Sequence, residues 1–226
     1  MRDIDVRRLL RRSLDEQWGK DRSTKIVEEL GLCKGSVRVD VAVVNGSLKG
    51  YEIKSELDTL ARLAGQSAVY NSVFDTMTAV LAPRHVSKVK TIVPKWWGID
   101  VVTQTGSSGP VLSNLRPEGV NPKVDPLALV QLLWRDEALS LLENALGSAE
   151  LFAREPRRVI WKSLASAVEL SELKEMVRTC LKTRAHWRVD PLQKPNDVRF
   201  QPFAKLSGFL SPRVRTRSRR YSRHPN

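Results

Sequence analysis

The amino-acid sequence predicts an α/β fold: a mixed sheet flanked by helices, followed by a helical C-terminal half. Three observations predict it. Residues 37–44, Val-Arg-Val-Asp-Val-Ala-Val-Val, alternate for most of their length and are rich in β-branched side chains, the pattern of a strand. Segments of helical period and further short strand patterns follow one another up to residue 105, whereas beyond residue 126 only helical periods occur. With 41% hydrophobic residues over 226 positions, the chain can bury one full core and a smaller second one.

Taken in order, residues 3–18 form an amphipathic helix, with Ile4, Val6, Leu9, Leu10, Leu14 and Trp18 at helical spacing and arginines over the other face. A second helix is expected over about 23–31, with Ile26, Val27 and Leu30 on one side, Glu28 and Glu29 towards its end, and Gly31 as a stop. The strand 37–44 follows, Asn45-Gly46-Ser47 turns the chain, and residues 50–54 return as a second strand. Residues 55–74 are helical through Leu57, Leu60, Leu63 and Val69, residues 76–82 form a third strand, and a short helix near 86–92 leads to a short strand at 99–102. The Gly-, Ser- and Pro-rich segment 106–126 reads as a linker with no strand pattern beyond it. Helices are expected over 127–146, about 157–168 and 171–185, the last opening at Ser171. The organisation is thus a domain over 1–105, a linker over 106–126, a helical C-terminal domain over 127–210 and a tail over 211–226.

The formal charge is +13, and residues 211–226 hold six arginines and no acid. This tail reads as a disordered arm whose Arg213, Arg215, Arg217, Arg219, Arg220 and Arg223 bind nucleic acid by releasing counterions from phosphate. No stretch approaches the roughly 18 apolar residues of a membrane span, and the N-terminus mixes acids with bases, which places the chain in the cytoplasm and away from membranes. Cys33 and Cys180 have no spacing suited to a disulfide framework or zinc, and His85, His186 and His224 are scattered. No glycine cluster is followed by Gly-Lys-Ser/Thr, so a nucleoside triphosphatase has no support. The Trp96-Trp97 pair is expected to pack the edge of the core, and the last two helices admit a helix-turn-helix reading.

Chemistry concentrates on the two central strands. Alternation puts Arg38, Asp40 and Ala42 on one face and Val37, Val39, Val41 and Val43 on the other; Glu52 and Lys54 share a face opposite Tyr51 and Ile53. An acid inside an apolar strand is costly unless paired or bound to metal. A two-residue Asn45-Gly46 turn would set Asp40 opposite Tyr51; a three-residue connection, with Val44 opposite Leu48, sets it opposite Glu52, and this second register is expected. Two carboxylates and a lysine so placed suit Mg²⁺ or Mn²⁺ and the stabilisation of a phosphoryl group.

With Asp40 followed on the next strand by Glu52-Ile53-Lys54, the sequence resembles the PD-(D/E)XK nuclease superfamily, whose core is a restriction-endonuclease-like α/β fold. That resemblance implies a Mg²⁺-dependent nuclease acting on DNA in preference to RNA. Asp40 and Glu52 would be metal ligands and Lys54 the group that assists water or phosphate. A helix-borne Glu29, or Glu28 if the phase differs, would complete the metal environment, and Ile53 would add its backbone carbonyl. Gln66 and Tyr70 resemble the Gln-x-x-x-Tyr element that positions substrate in RecB-type and phage-exonuclease-type members, and the helical C-terminal domain would select the substrate or a protein partner. No proline precedes Asp40, and many members lack that proline too, so the departure leaves the implied metal site in place. The alternative is a non-catalytic nucleic-acid-binding or regulatory protein, in which Glu52 and Lys54 are a strand pair, Asp40 anchors an arginine, and charge alone engages the partner.

Overall fold

The computed structural model describes residues 1–105 and 109–184. The tail arginines Arg213 to Arg223, the remainder of the expected helical domain from residue 185, and His186 and His224 lie outside the described residues. The chain divides into two units, Met1–Trp187 and Arg188–Asn226, and every element below belongs to the first.

Helix α1 (Asp3–Trp18) is fixed by a stripe at Val6, Leu10 and Leu14, one turn apart, and by Asp3 and Asp5 in its first turn, where the helix dipole favours acids. It is followed by strands β1 (Lys25–Leu32), β2 (Val37–Val44) and β3 (Leu48–Lys54), helix α2 (Leu63–Val73), strand β4 (Thr76–Leu81), helix α3 (Val86–Ile92), and strands β5 (Gly98–Thr105) and β6 (Gly109–Arg116). Helices α4 (Pro126–Val130), α5 (Arg135–Leu146), α6 (Arg157–Ala167) and α7 (Leu170–Thr183) complete the described chain. The six strands form one mixed sheet whose spatial order is the chain order. β1, β2 and β3 pair antiparallel, β3, β4 and β5 pair parallel, and β6 returns antiparallel to β5.

Both faces of the sheet are covered. On one, Val6, Leu10 and Leu14 of α1 pack on Val41, Val43, Tyr51, Ile53, Val80 and Val102. On the other, residues of α2 and of α4 to α7, among them Tyr70, Leu129, Leu142, Trp161, Leu164 and Leu181, share one core with Leu32, Val39, Val44, Met77 and Leu81. The buried Trp97 stacks on Tyr70, as expected for a tryptophan packing the core. At Gly50 the buried side chains of Met77 and Phe74 occupy the space above the backbone, and a Cβ there would lie 2.3 Å from Met77 Sδ. Among the described residues no helix is long and apolar enough to cross a membrane.

Four elements differ from the sequence reading: the helix expected over 55–74 begins only at Leu63, the single helix expected over 127–146 is divided into α4 and α5, and β1 and β6 were not expected as strands. The expected helix over 23–31 is strand β1, because Ile26, Val27 and Leu30 satisfy helical spacing equally well, and pairing with β2 decides the matter. β6 lies within the segment read as a linker. Only its Leu112 packs against the α1 core, while Val111 and Leu115 stay exposed, so this edge strand leaves little hydrophobic signature. The β2–β3 hairpin has the expected register: Val44 pairs with Leu48 around a three-residue loop in which Ser47 N–H donates to Asn45 Oδ1.

Candidate functional site

The expected site lies where β1, β2 and β3 lose regular pairing together. The β1–β2 register runs without slip from Lys25–Val44 to Leu32–Val37, but the pair Glu29 and Asp40 is absent from it, and Glu29 adopts φ 54°, in the left-handed region. The β2–β3 ladder likewise stops at Val41–Tyr51, one residue short of Asp40 and Glu52. Side-chain alternation reverses across this level: Val39 packs in the α2 core and Val41 in the α1 core, and on β1 Val27 and Leu30 both join the α2 core. The valines of β2 therefore do not share one face, as strict alternation predicts. Asp40 is the point at which they change sides.

An interrupted ladder leaves backbone polar groups that must find other partners. Arg7 of α1 donates through Nη1 to the Asp40 carbonyl (3.0 Å) and through Nη2 to Asp40 Oδ1 (2.9 Å), and it reaches Glu29 Oε1 at 3.0 Å. Ile53 N–H donates to Asp40 Oδ2 at 2.7 Å. The Tyr70 hydroxyl lies 2.7 Å from both the Arg38 carbonyl and Glu52 Oε2, so its single proton serves one or the other. Lys54 Nζ donates to Glu52 Oε1 at 2.6 Å, with both side chains buried. Gln66 Nε2 donates weakly to the Tyr70 hydroxyl at 3.3 Å.

Asp40, Glu52, Lys54, Gln66 and Tyr70 therefore converge as the sequence suggested. Glu29 joins them from a strand, not a helix, and only through Arg7 and Arg38. Glu28 faces α1, 3.5 Å from Arg11. Ile53 takes part through its N–H; its carbonyl has no part in the contacts with Asp40. Arg7 is the member that sequence reasoning missed. It is one arginine among several on α1, and nothing local marks it as the partner of a residue 33 positions away.

Burial, and then the neighbouring Glu52 carboxylate, push the Asp40 carboxyl up to about 6, against the pull of the Ile53 N–H, Arg7 and Lys54. Burial and Glu52 also raise the Tyr70 phenol, which keeps it protonated as a donor. Each carboxylate thus already has a cation beside it, Asp40 a guanidinium and Glu52 an ammonium, although at Asp40 burial and the Glu52 charge outweigh the guanidinium. Among the described residues no group of three or more His, Cys, Asp or Glu side chains is placed to hold a metal ion. The cluster repairs a break in the sheet and ties α1 and α2 to it.

The C-terminal helices place their charge in two ways. In α7, Lys174 lies 2.7 Å from Asp75 Oδ1 and Arg178 3.7 Å from Asp75 Oδ2, so its cations turn towards the sheet. Its exposed positions include Glu172 and Glu175, which does not suit the recognition helix of a helix-turn-helix. At its end, Arg184 donates to Glu137 Oε1 (2.8 Å) and Oε2 (2.6 Å) and to the Leu132 carbonyl (3.0 Å), while stacking 4.4 Å over Trp134. α6, in contrast, carries Arg157, Arg158 and Lys162, and no acid.

A family model described as Bacteriophage P4 protein cII matches residues 6–198. Protein cII of Enterobacteria phage P4 is 33% identical over 161 residues, which are 71% of this chain and 60% of that protein, so the chain spans about 60% of the length of this curated relative. A solved protein of unknown function from Silicibacter pomeroyi is similar with a TM-score of 0.40 and 19% identity, over 62% of this chain and 88% of that one. The family match overturns the resemblance to the PD-(D/E)XK nuclease superfamily, and with it the expected Mg²⁺-dependent deoxyribonuclease and its hydrolysis of phosphodiester bonds. The spacing from Asp40 to Glu52 and Lys54 that suggested a nuclease is met here by an internally paired cluster. On the match over residues 6–198, the chain belongs to the bacteriophage P4 protein cII family.

Proposed function

We propose that this protein is a non-catalytic regulator that binds nucleic acid through its charge. The observation that carries this reading is the division of charge in the fold. The acids at the centre of the sheet are consumed internally, Asp40 by Arg7 and Glu52 by Lys54, whereas the chain as a whole keeps a net charge of +13. A surplus of that size attracts a phosphate backbone and needs no metal to do so. Membership of the phage cII family supports a role other than hydrolysis.

The test is fluorescence anisotropy of a labelled duplex of about 30 base pairs, titrated with the full chain in EDTA and in Mg²⁺ over a series of salt concentrations. The expected result is equal affinity with and without the metal, a steep loss of affinity with salt, and intact nucleic acid on a gel afterwards. No binding at low salt sinks the reading.

A further inference from the structure

The fold distributes its cations unevenly, and pairing decides which of them are available to a partner. On α1, Arg7 is held by Asp3, Glu29 and Asp40, Arg11 by Asp15 and Glu28, and Arg12 by Glu16, which leaves Arg8 as the one exposed arginine of that helix without an ion pair among the described residues. On α7, Lys174 and Arg178 are committed to Asp75. On α3, Lys88 and Lys90 are exposed, but residues two apart on a helix point in different directions and make no strip.

α6 differs. Arg154, just before it, and Arg157, Arg158 and Lys162 are all exposed, and among the described residues none of the four has an ion-pair partner. Arg158 and Lys162 stand one turn apart on the same side. Arg157 lies 4.6 Å over the Trp161 ring, and Lys34, from the turn between β1 and β2, lies 6.0 Å from the same ring. A buried tryptophan thus gathers cations from two separate elements and restrains one guanidinium by stacking. The nearest acid in sequence, Glu155, precedes the helix.

Resting on the nucleic-acid reading above, we infer that the exposed face of α6, with Arg157, Arg158, Lys162 and the adjoining Arg154 and Lys34, is the surface that docks the phosphate backbone of a duplex. Charge complementarity names the partner, and the burial of Trp161 narrows it. With its ring 2% exposed, Trp161 offers no platform for unstacked bases, so the surface suits a continuous backbone better than a splayed single strand. From Arg157 to Lys162 the helical rise covers about 7.5 Å, a length over which duplex DNA carries about four phosphate charges.

The experiment compares the full-length wild type with Arg157→Gln/Arg158→Gln/Lys162→Gln and with Lys88→Gln/Lys90→Gln, in the anisotropy assay with duplex and single-stranded probes. The α6 variant is expected to flatten the slope of log affinity against log salt by about 2 to 3 on the duplex and to weaken binding at low salt by tenfold or more, while the α3 variant keeps the wild-type slope. Because Arg157 packs on Trp161, the milder Arg158→Gln/Lys162→Gln variant, which alters only exposed side chains, is read beside it, with circular dichroism confirming the fold; it should flatten the slope by about 2. Wild-type binding with unchanged slopes in both α6 variants would overturn the surface and leave the nucleic-acid reading standing. Equal losses in the α6 and α3 variants overturn it as well, since charge would then act without a place, and so does a loss confined to the single-stranded probe. Absence of wild-type binding at low salt would overturn both.

Discussion

Replacing Asp40 with Asn should make the protein more stable at neutral pH, and the gain should fade in acid. Asp40 is enclosed by Arg7 from α1, Glu29 from β1, Glu52 and Lys54 from β3, and Tyr70 from α2. Burial and the Glu52 charge raise its carboxyl from 3.8 to about 6, which corresponds to about 3 kcal/mol at 1.36 kcal/mol per pH unit. The folded state therefore holds this proton more tightly than the unfolded chain. The group's favourable contribution is complete below the unfolded value near 3.8 and is lost as pH rises through about 6, beyond which the native protein carries the full cost of an ionised Asp40. An asparagine keeps an oxygen for the Ile53 N–H and has no such titration. Urea denaturation of wild type and Asp40→Asn, followed by tryptophan fluorescence across that range, should show the stability difference shifting in favour of the variant by roughly 2 kcal/mol between about pH 4 and about pH 7. A difference that stays flat, or that favours the wild type increasingly as pH rises, would refute the assignment of a destabilising ionised carboxylate.

Two further perturbations probe the scaffold. Arg184→Met strands the buried Glu137 carboxylate and should cost about 3–5 kcal/mol in a urea melt, whereas Glu137→Leu/Arg184→Met should recover most of that loss, because the pair is more expensive to break than to replace. Tyr70→Phe removes the donor shared by the Arg38 carbonyl and Glu52, and should lower stability by about 1–3 kcal/mol while leaving nucleic-acid binding unchanged in the anisotropy assay.

The central hairpin was legible although one of its signals points elsewhere. Asn45-Gly46 favours a two-residue turn, but the demand that the acids stay together selects the three-residue loop, and the pairing of Val44 with Leu48 follows. β1 was not legible: Lys25–Leu32 contains two adjacent glutamates and apolar spacing that a helix also accepts, and only its partner strand resolves the ambiguity. The side reversal at Asp40 is invisible to any fixed period, since it arises from two irregularities facing each other across strands, one of them the left-handed Glu29. The same limit applied to the site. Sequence spacing brought Asp40, Glu52, Lys54, Gln66 and Tyr70 together correctly, but it recorded nothing of Arg7, and the arrival of that one guanidinium changes two acids awaiting a cation into acids that already have one.

A sheet whose strands stand side by side in the order of their translation can be laid down as the chain leaves the ribosome. Each strand meets a neighbour already made, and the stretches between parallel neighbours are long enough for α2 and α3 to form on the way. What such a schedule postpones is cover. α1 is made first and shields its side of the sheet from the outset, while Leu32, Val39 and Val44 on the opposite side wait until α4 to α7 have been synthesised. A ribosome paused near residue 120 would thus hold a nearly complete sheet with one greasy side covered only in part, by α2 and α3, and this is the stage at which a chaperone, or a clump of nascent chains, has the most to grip.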